Sequence, residues 1–201
     1  MRLALVLIAV VPGAVWACGA PQADWEVAFE RASPAEQFEL IKAAHAQGAW
    51  QRVVVLAPKF KSSEFLPSRI VKELEALSML KVGHFSKAMQ AFDLLLAQSP
   101  DSGLEAKRAE ASLRWAMDVG TTDRDAVELL QKRLRERALD VDGQVTLARF
   151  AARTGQRAEQ RALCDDLLRR EPASVEVFRV CRGAESKVVD PKPVARLKPC
   201  G

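Results

Sequence analysis

Apolar residues recur along most of the chain at the spacing of one helical face, and glycines separate these stretches. Gly48, Gly83, Gly120 and Gly155 each follow one such stretch and precede another, at intervals of 35, 37 and 35 residues. Runs in which Val, Ile or Thr alternate with polar residues are scarce, which argues against β-sheets. The pattern predicts an all-helical chain of helix–turn–helix units that repeat about every 34 residues.

The first residues form a separate segment. Arg2 gives a positive start, Leu3 to Val11 is a continuous apolar run, and small residues precede Cys18. This layout is typical of a secretory signal peptide, here residues 1–17. The run is shorter than the roughly 20 residues that span a bilayer, and no other segment approaches that length. We therefore expect no transmembrane helix in the mature protein.

One unit carries a specific set of small, aromatic and proline residues. Gly83 is followed by Phe85, Ala88, Phe92 and Pro100. This set resembles the tetratricopeptide-repeat family, in which a small residue and an aromatic residue one turn later pack within the second helix of each unit. A proline then ends that helix, because proline cannot continue it.

The other units resemble the repeat less completely. Gly155 and Pro172 repeat the 17-residue distance from glycine to proline, but Gln160 stands where the family has Ala. Pro58 must bend or shorten the second helix of the first unit. Ala126 falls one residue late in the third unit, which indicates a displaced helix.

The resemblance covers about residues 34–172 and implies a right-handed solenoid of about four helical hairpins. The segment Ser33-Pro34-Ala35-Glu36 has the sequence of a capping box at the start of the first hairpin. A solenoid also needs a closing C-terminal helix, for which Val177, Phe178 and Cys181 would form the inner face. A generic helical bundle is the alternative.

These boundaries divide the chain into four segments. They are a signal peptide (1–17), an N-terminal linker (18–33), a repeat domain (34–183) and a C-terminal tail (184–201).

The composition indicates a globular protein without recognisable catalytic chemistry. Hydrophobic residues make up 49% and charged residues 28% of the chain, and the formal net charge of +4 is too small to indicate nucleic-acid binding. His45 and His84 have no cysteine or carboxylate at metal-ligand spacing, and no catalytic motif occurs. We expect no enzyme activity, metal or cofactor.

The four cysteines fit an exported protein, since disulfides persist in oxidising compartments. Cys164 and Cys181 lie at similar distances from the expected turn at Pro172, so a disulfide or two buried free thiols are possible there. Cys18 follows a sequence that resembles a bacterial lipobox, although Trp16 departs from it. Two fates of this residue stay open, which are lipidation and a disulfide with Cys200.

The resemblance implies that the first helix of each unit lines a concave groove. Helical spacing from the turn glycines places on that groove Phe38, Lys42, His45, Lys81, Arg114, Asp118, Arg149 and Arg153, together with Glu73, Leu77, Met117 and Val145. Five of these are Lys or Arg, which favours an acidic or carboxylate-bearing peptide, because the arginine fork can hold a carboxylate with two hydrogen bonds. Ordinary solvated helix residues are the alternative.

The resemblance therefore implies a protein-interaction scaffold in the periplasm or the outer-membrane-associated cell envelope, which binds a protein or peptide in a partly basic groove. A periplasmic chaperone or carrier for a single exported client is the second hypothesis. An accessory domain of a cell-wall enzyme is the third. The sequence selects no particular partner and no oligomeric state.

Overall fold

The computed structural model describes residues 22–61 and 68–182. Within these ranges the chain is all-helical, without β-strands. The α-helices are α1 (Gln22–Arg31), α2 (Pro34–Ala46), α3 (Trp50–Leu56), α4 (Ser68–Lys81), α5 (Phe85–Gln98), α6 (Ser102–Asp118), α7 (Arg124–Arg135), α8 (Val141–Arg153), α9 (Arg157–Arg170) and α10 (Val175–Cys181), and a short 3-10 helix spans Ala57–Lys59. The segments predicted as a signal peptide and as a C-terminal tail lie outside the described residues, as do Cys18 and Cys200.

The predicted glycine period marks the turns of four helical hairpins, which are α2–α3, α4–α5, α6–α7 and α8–α9. Gly48, Gly83, Gly120 and Gly155 have φ angles of 71°, 86°, 80° and 76°, a conformation that residues with side chains rarely adopt. After each glycine, the next amide donates a hydrogen bond of 2.8–2.9 Å to the carbonyl five residues before it. All four hairpins therefore use the same helix-ending motif.

Capping residues set several helix boundaries. Ser33 and Glu36 form the predicted capping box at the start of α2. Asp123 caps α7 through the amide of Ala126, and Ser174 caps α10 through the amide of Val177. The α3 helix has seven residues and continues into the 3-10 helix that contains Pro58, so the predicted shortening is confirmed.

The helices pack in chain order, because each contacts the next and α2–α4, α6–α8 and α8–α10 also contact each other. In the second hairpin, Ala88 and Phe92 are both fully buried in one apolar cluster, in agreement with the packing expected within α5. Two further clusters lie under the first hairpin and under α6–α10. The candidate site lies on α4, α6, α8 and α10, where α8 contacts both α6 and α10 and the Lys81–Asp142 ion pair joins α4 to α8.

The segment predicted as an N-terminal linker, residues 18–33, contains an additional helix, α1. Phe29 of this helix is fully buried, and the Gln37 side-chain amide donates a 2.9 Å hydrogen bond to its carbonyl. Trp25 lies one turn earlier and also packs on this cluster. The i,i+4 pair of aromatics gives α1 an apolar stripe that secures it to α2.

The closing helix α10 agrees with the prediction except at one position. Val177 is fully buried and Cys181 is 2% exposed, but Phe178 is 50% exposed and does not belong to the inner face. The sulfur atoms of Cys164 and Cys181 are 2.09 Å apart, which is disulfide-bond distance, so the expected proximity of α9 and α10 at these positions is confirmed. In the part of the chain that the structure describes, no helix is long and apolar enough to cross a membrane.

Candidate partner-binding site

The candidate residues of the first hairpin form a small cluster of aromatic and basic side chains. The Lys42 ammonium lies 5.0 Å from the Phe38 ring centroid and 3.0 Å from a Glu39 carboxylate oxygen. The His45 ring lies 4.8 Å from the Trp50 ring in an edge-to-face arrangement. This end of the site therefore offers apolar ring surface beside a cation.

Lys81 joins this cluster to the later helices. Its ammonium lies 5.9 Å from the Trp50 ring centroid and 2.6 Å from a carboxylate oxygen of Asp142, on α8. Partial burial of His45 and the nearby charge of Lys81 both lower the pKa of that histidine. Three helices thus meet around one lysine.

A buried acid–base cluster lies next to Asp142. Glu110 on α6 is 1% exposed, and its carboxylate lies 2.8 Å from the ammonium of Lys107. The same ammonium lies 2.6 Å from Asp140 and 3.7 Å from Asp142, at the start of α8. Because Lys107 is surrounded by three carboxylates, it connects α6 to α8 through charge.

Arg114 continues this cluster along α6. It lies 2.8 Å from the Glu110 carboxylate, its Nε donates a 2.9 Å hydrogen bond to the Thr146 hydroxyl, and a Glu176 oxygen is 3.8 Å away. Only 8% of the Arg114 side chain is exposed. Its Nε and one terminal nitrogen are therefore engaged inside the protein.

The remaining candidates lie at the outer end of the same surface. Arg149 on α8 is 3.0 Å from Glu176 on α10. Arg153 donates a hydrogen bond to the Met117 carbonyl at the end of α6. Asp118 is exposed. The structure thus brings the candidates from α4, α6 and α8 together, with Glu176 between two arginines.

We call the connected set of eight charged residues the ion-pair network. It consists of Lys81, Lys107, Arg114, Arg149, Glu110, Asp140, Asp142 and Glu176. Four are cations and four are carboxylates, so the basic residues on this surface are compensated by acidic residues of the same chain. Lys107 and the four carboxylates were not among the residues predicted from the sequence. The i, i+3, i+7 spacing of Lys107, Glu110 and Arg114 was the signal that could have placed these three on one face of α6.

Burial and pairing shift several pKa values in the network. Burial raises the pKa of the Glu110 carboxyl, although two cations act against this rise. Burial of Lys107 acts to lower its pKa, but Glu110 and Asp140 outweigh this effect and the net pKa is raised. Burial of Asp142 acts to raise its pKa. The hydrogen bond and the charge of Lys81 outweigh this effect, so the net pKa lies below its ordinary value of 3.8.

Two residues that the sequence register placed on the groove belong to the core. Val145 is 2% exposed and Met117 is 7% exposed, and both pack in the apolar cluster under α6–α10. Met117 precedes the exposed Asp118, and one residue turns a side chain by about 100° around a helix. Val145 lies between Gln144 and Thr146, which are themselves buried, so this part of α8 offers no surface position. The register of this face was therefore wrong at these two positions.

Among the described residues, no group of three or more His, Cys, Asp or Glu side chains is arranged to hold a metal ion. Comparisons of the chain with family models, with curated proteins and with solved structures found no significant match.

Proposed function

We propose that this protein is an interaction scaffold of the bacterial cell envelope, in which the hairpins form a tetratricopeptide-like solenoid and the ion-pair network lies on its partner-binding face. The four identical hairpin turns support a repeating architecture. The single observation that carries the binding proposal is that cations of α4, α6 and α8 converge on one surface through contacts such as Lys81–Asp142 and Arg114–Thr146.

The partner that fits this surface is a peptide or protein segment with acidic side chains. Lys42 is 46% exposed, Arg149 is 34% exposed and Arg153 is exposed, so these three side chains are accessible to a ligand at the protein surface. Phe38 and Trp50 add ring surface at the end near α2. A carboxylate held by an arginine fork gains charge-assisted hydrogen bonds, which are stronger than neutral ones.

Binding of fluorescein-labelled hexaglutamate tests this proposal by fluorescence polarisation, with hexaglutamine as the neutral peptide. The variant Lys42→Glu/Arg149→Glu/Arg153→Glu reverses three cations of the candidate surface. Loss of each charge contact costs about 1 kcal/mol at a partly exposed site, so we expect hexaglutamate binding to weaken by at least tenfold.

The matched control carries the same change in net charge on other helices. Lys132 and Arg135 on α7 and Arg169 on α9 are exposed, so we use Lys132→Glu/Arg135→Glu/Arg169→Glu. This variant should bind hexaglutamate nearly as the wild type does, apart from a modest loss from the changed net charge. Equal weakening by the two variants would contradict a specific face, and the far-UV circular dichroism spectrum verifies that both are folded.

The envelope location rests on two features. The first 17 residues have the signal-peptide pattern, and Cys164 and Cys181 lie at disulfide-bond distance, as is common in oxidising compartments. In a bacterium that produces the full chain, we expect envelope fractions to contain a protein that begins at Cys18. Its intact mass then separates a lipidated Cys18 from an unmodified one. An uncleaved chain in the cytoplasmic fraction would contradict export.

A further inference from the structure

Arg114 is held in one orientation before any partner arrives. Its Nε is bound to the Thr146 hydroxyl at 2.9 Å and one terminal nitrogen lies 2.8 Å from the Glu110 carboxylate. Thr146 in turn donates toward the carbonyl of Asp142, so its position is also fixed. An arginine fixed in this way loses little side-chain entropy when it meets a carboxylate.

Arg114 and Arg149 share a single carboxylate, that of Glu176. The Glu176 oxygen lies 3.0 Å from Arg149 and 3.8 Å from Arg114. In contrast to Arg114, Arg149 and Glu176 are 34% and 40% exposed, so this end of the network meets solvent. The Glu176 carboxylate therefore lies beside two guanidinium groups, at an end of the ion-pair network that is open to solvent.

Glu176 is delivered to this position by the short helix α10. Val177, the next residue, is fully buried, and Cys181 lies at disulfide-bond distance from Cys164 on α9. The helix also contacts α8. The main chain that carries Glu176 is therefore anchored by the residues that follow it, while its carboxylate is held by exchangeable ion pairs with Arg149 and Arg114.

We propose that Glu176 is an internal competitor of the acidic partner, so that the partner's carboxylate must replace it at Arg114 and Arg149. This inference rests on the proposed function and concerns the regulation of the same surface. A glutamate or aspartate of the partner presents the same group to the same N–H donors, and two carboxylates at one position repel each other. The chain thus lowers the apparent affinity of the surface until Glu176 moves aside.

The test is hexaglutamate binding to Glu176→Gln, which keeps the side-chain size and removes the competing charge. A partly exposed ion pair stabilises by up to about 1 kcal/mol, so its removal should tighten binding by about fivefold. Asp166→Asn is the matched control, because Asp166 on α9 pairs with Arg169 and Arg170 and loses the same charge. We expect this control to change the affinity by less than about twofold.

A second variant separates competition from a general change in charge. In Arg149→Gln/Glu176→Gln the arginine that Glu176 covers is absent, so the gain of Glu176→Gln should be lost. Equal hexaglutamate affinities of Glu176→Gln and Asp166→Asn would contradict the proposal that Glu176 competes with the partner. The same conclusion would follow if the double variant kept the increase in affinity. Failure of the proposed function gives a different result. In that case the variant Lys42→Glu/Arg149→Glu/Arg153→Glu binds hexaglutamate with the same affinity as the wild-type protein.

Discussion

Removal of the bridge between Cys164 and Cys181 should destabilise the protein by a calculable amount. The bridge closes a loop with a sequence separation of 17 residues. Cross-linking of such a loop lowers the entropy of the unfolded chain, which corresponds to about 3 kcal/mol at 25 °C. Because that amount is a large fraction of the stability of a typical domain, the effect should be easy to measure.

The assay is urea unfolding followed by far-UV circular dichroism, on wild-type protein with and without a dithiol reductant. We expect the reductant to lower the unfolding free energy of the wild type by about 3 kcal/mol. The variant Cys164→Ala/Cys181→Ala should show this lower stability without reductant. Any further response of the variant to the reductant then reports a bridge between Cys18 and Cys200.

Two results would refute this reasoning. One is a wild-type unfolding curve that the reductant leaves unchanged. The other is reaction of Cys164 with a thiol reagent in urea-unfolded, non-reduced protein, detected by mass spectrometry of its peptides, because a bridged sulfur cannot react.

Three further substitutions test the packing and the ion-pair network by urea unfolding. Arg114→Met leaves the buried Glu110 carboxylate without its arginine and should cost about 3 kcal/mol, and a loss below 1 kcal/mol would show that the pair is not needed. Ala88→Leu overfills the fully buried position in α5 and should lower the unfolding free energy by about 1–3 kcal/mol. Ala97→Leu, at an exposed position of the same helix, should be nearly neutral. Similar losses of unfolding free energy in both variants would contradict the packing of α5. The lowered pKa of Asp142 stabilises the fold above its ordinary value of 3.8, and this stability is lost as the pH falls through the lower folded-state pKa. As the pH falls below 3.8, the unfolding free energy of Asp142→Asn should therefore decrease less than that of the wild type. Equal decreases would contradict the ion pair between Asp142 and Lys81.

The sequence predicted features that depend on local backbone conformation. Gly83 and Gly155 end helices in a left-handed turn, for which glycine is strongly preferred, so their spacing revealed the hairpins. Ser33 caps α2 through atoms only three residues away. The pairing of Cys164 with Cys181 followed from their similar distances to one turn. Each of these signals lies within about one hairpin of the residue that it concerns.

Features that depend on long-range contacts were not predictable in the same way. The segment that forms α1 was predicted as a linker, because the role of Phe29 is revealed only by its packing on α2. Glu110 looks like an ordinary exposed helix residue in sequence, yet it is buried beside Lys107 and Arg114. Val145 was predicted on the surface, but residues 143–148 of α8 are all buried, because neighbouring helices cover this part of α8 on all sides.

We expect an acidic partner to bind the surface on which α4, α6 and α8 meet. Site-specific photo-cross-linking measures this directly, with benzoylphenylalanine in place of exposed Asp118, one turn after Arg114, or in place of Leu94 on α5, which is 69% exposed. Labelled hexaglutamate should be captured at position 118 and not at position 94. Capture at position 94 alone, or equally at both positions, would contradict the claim.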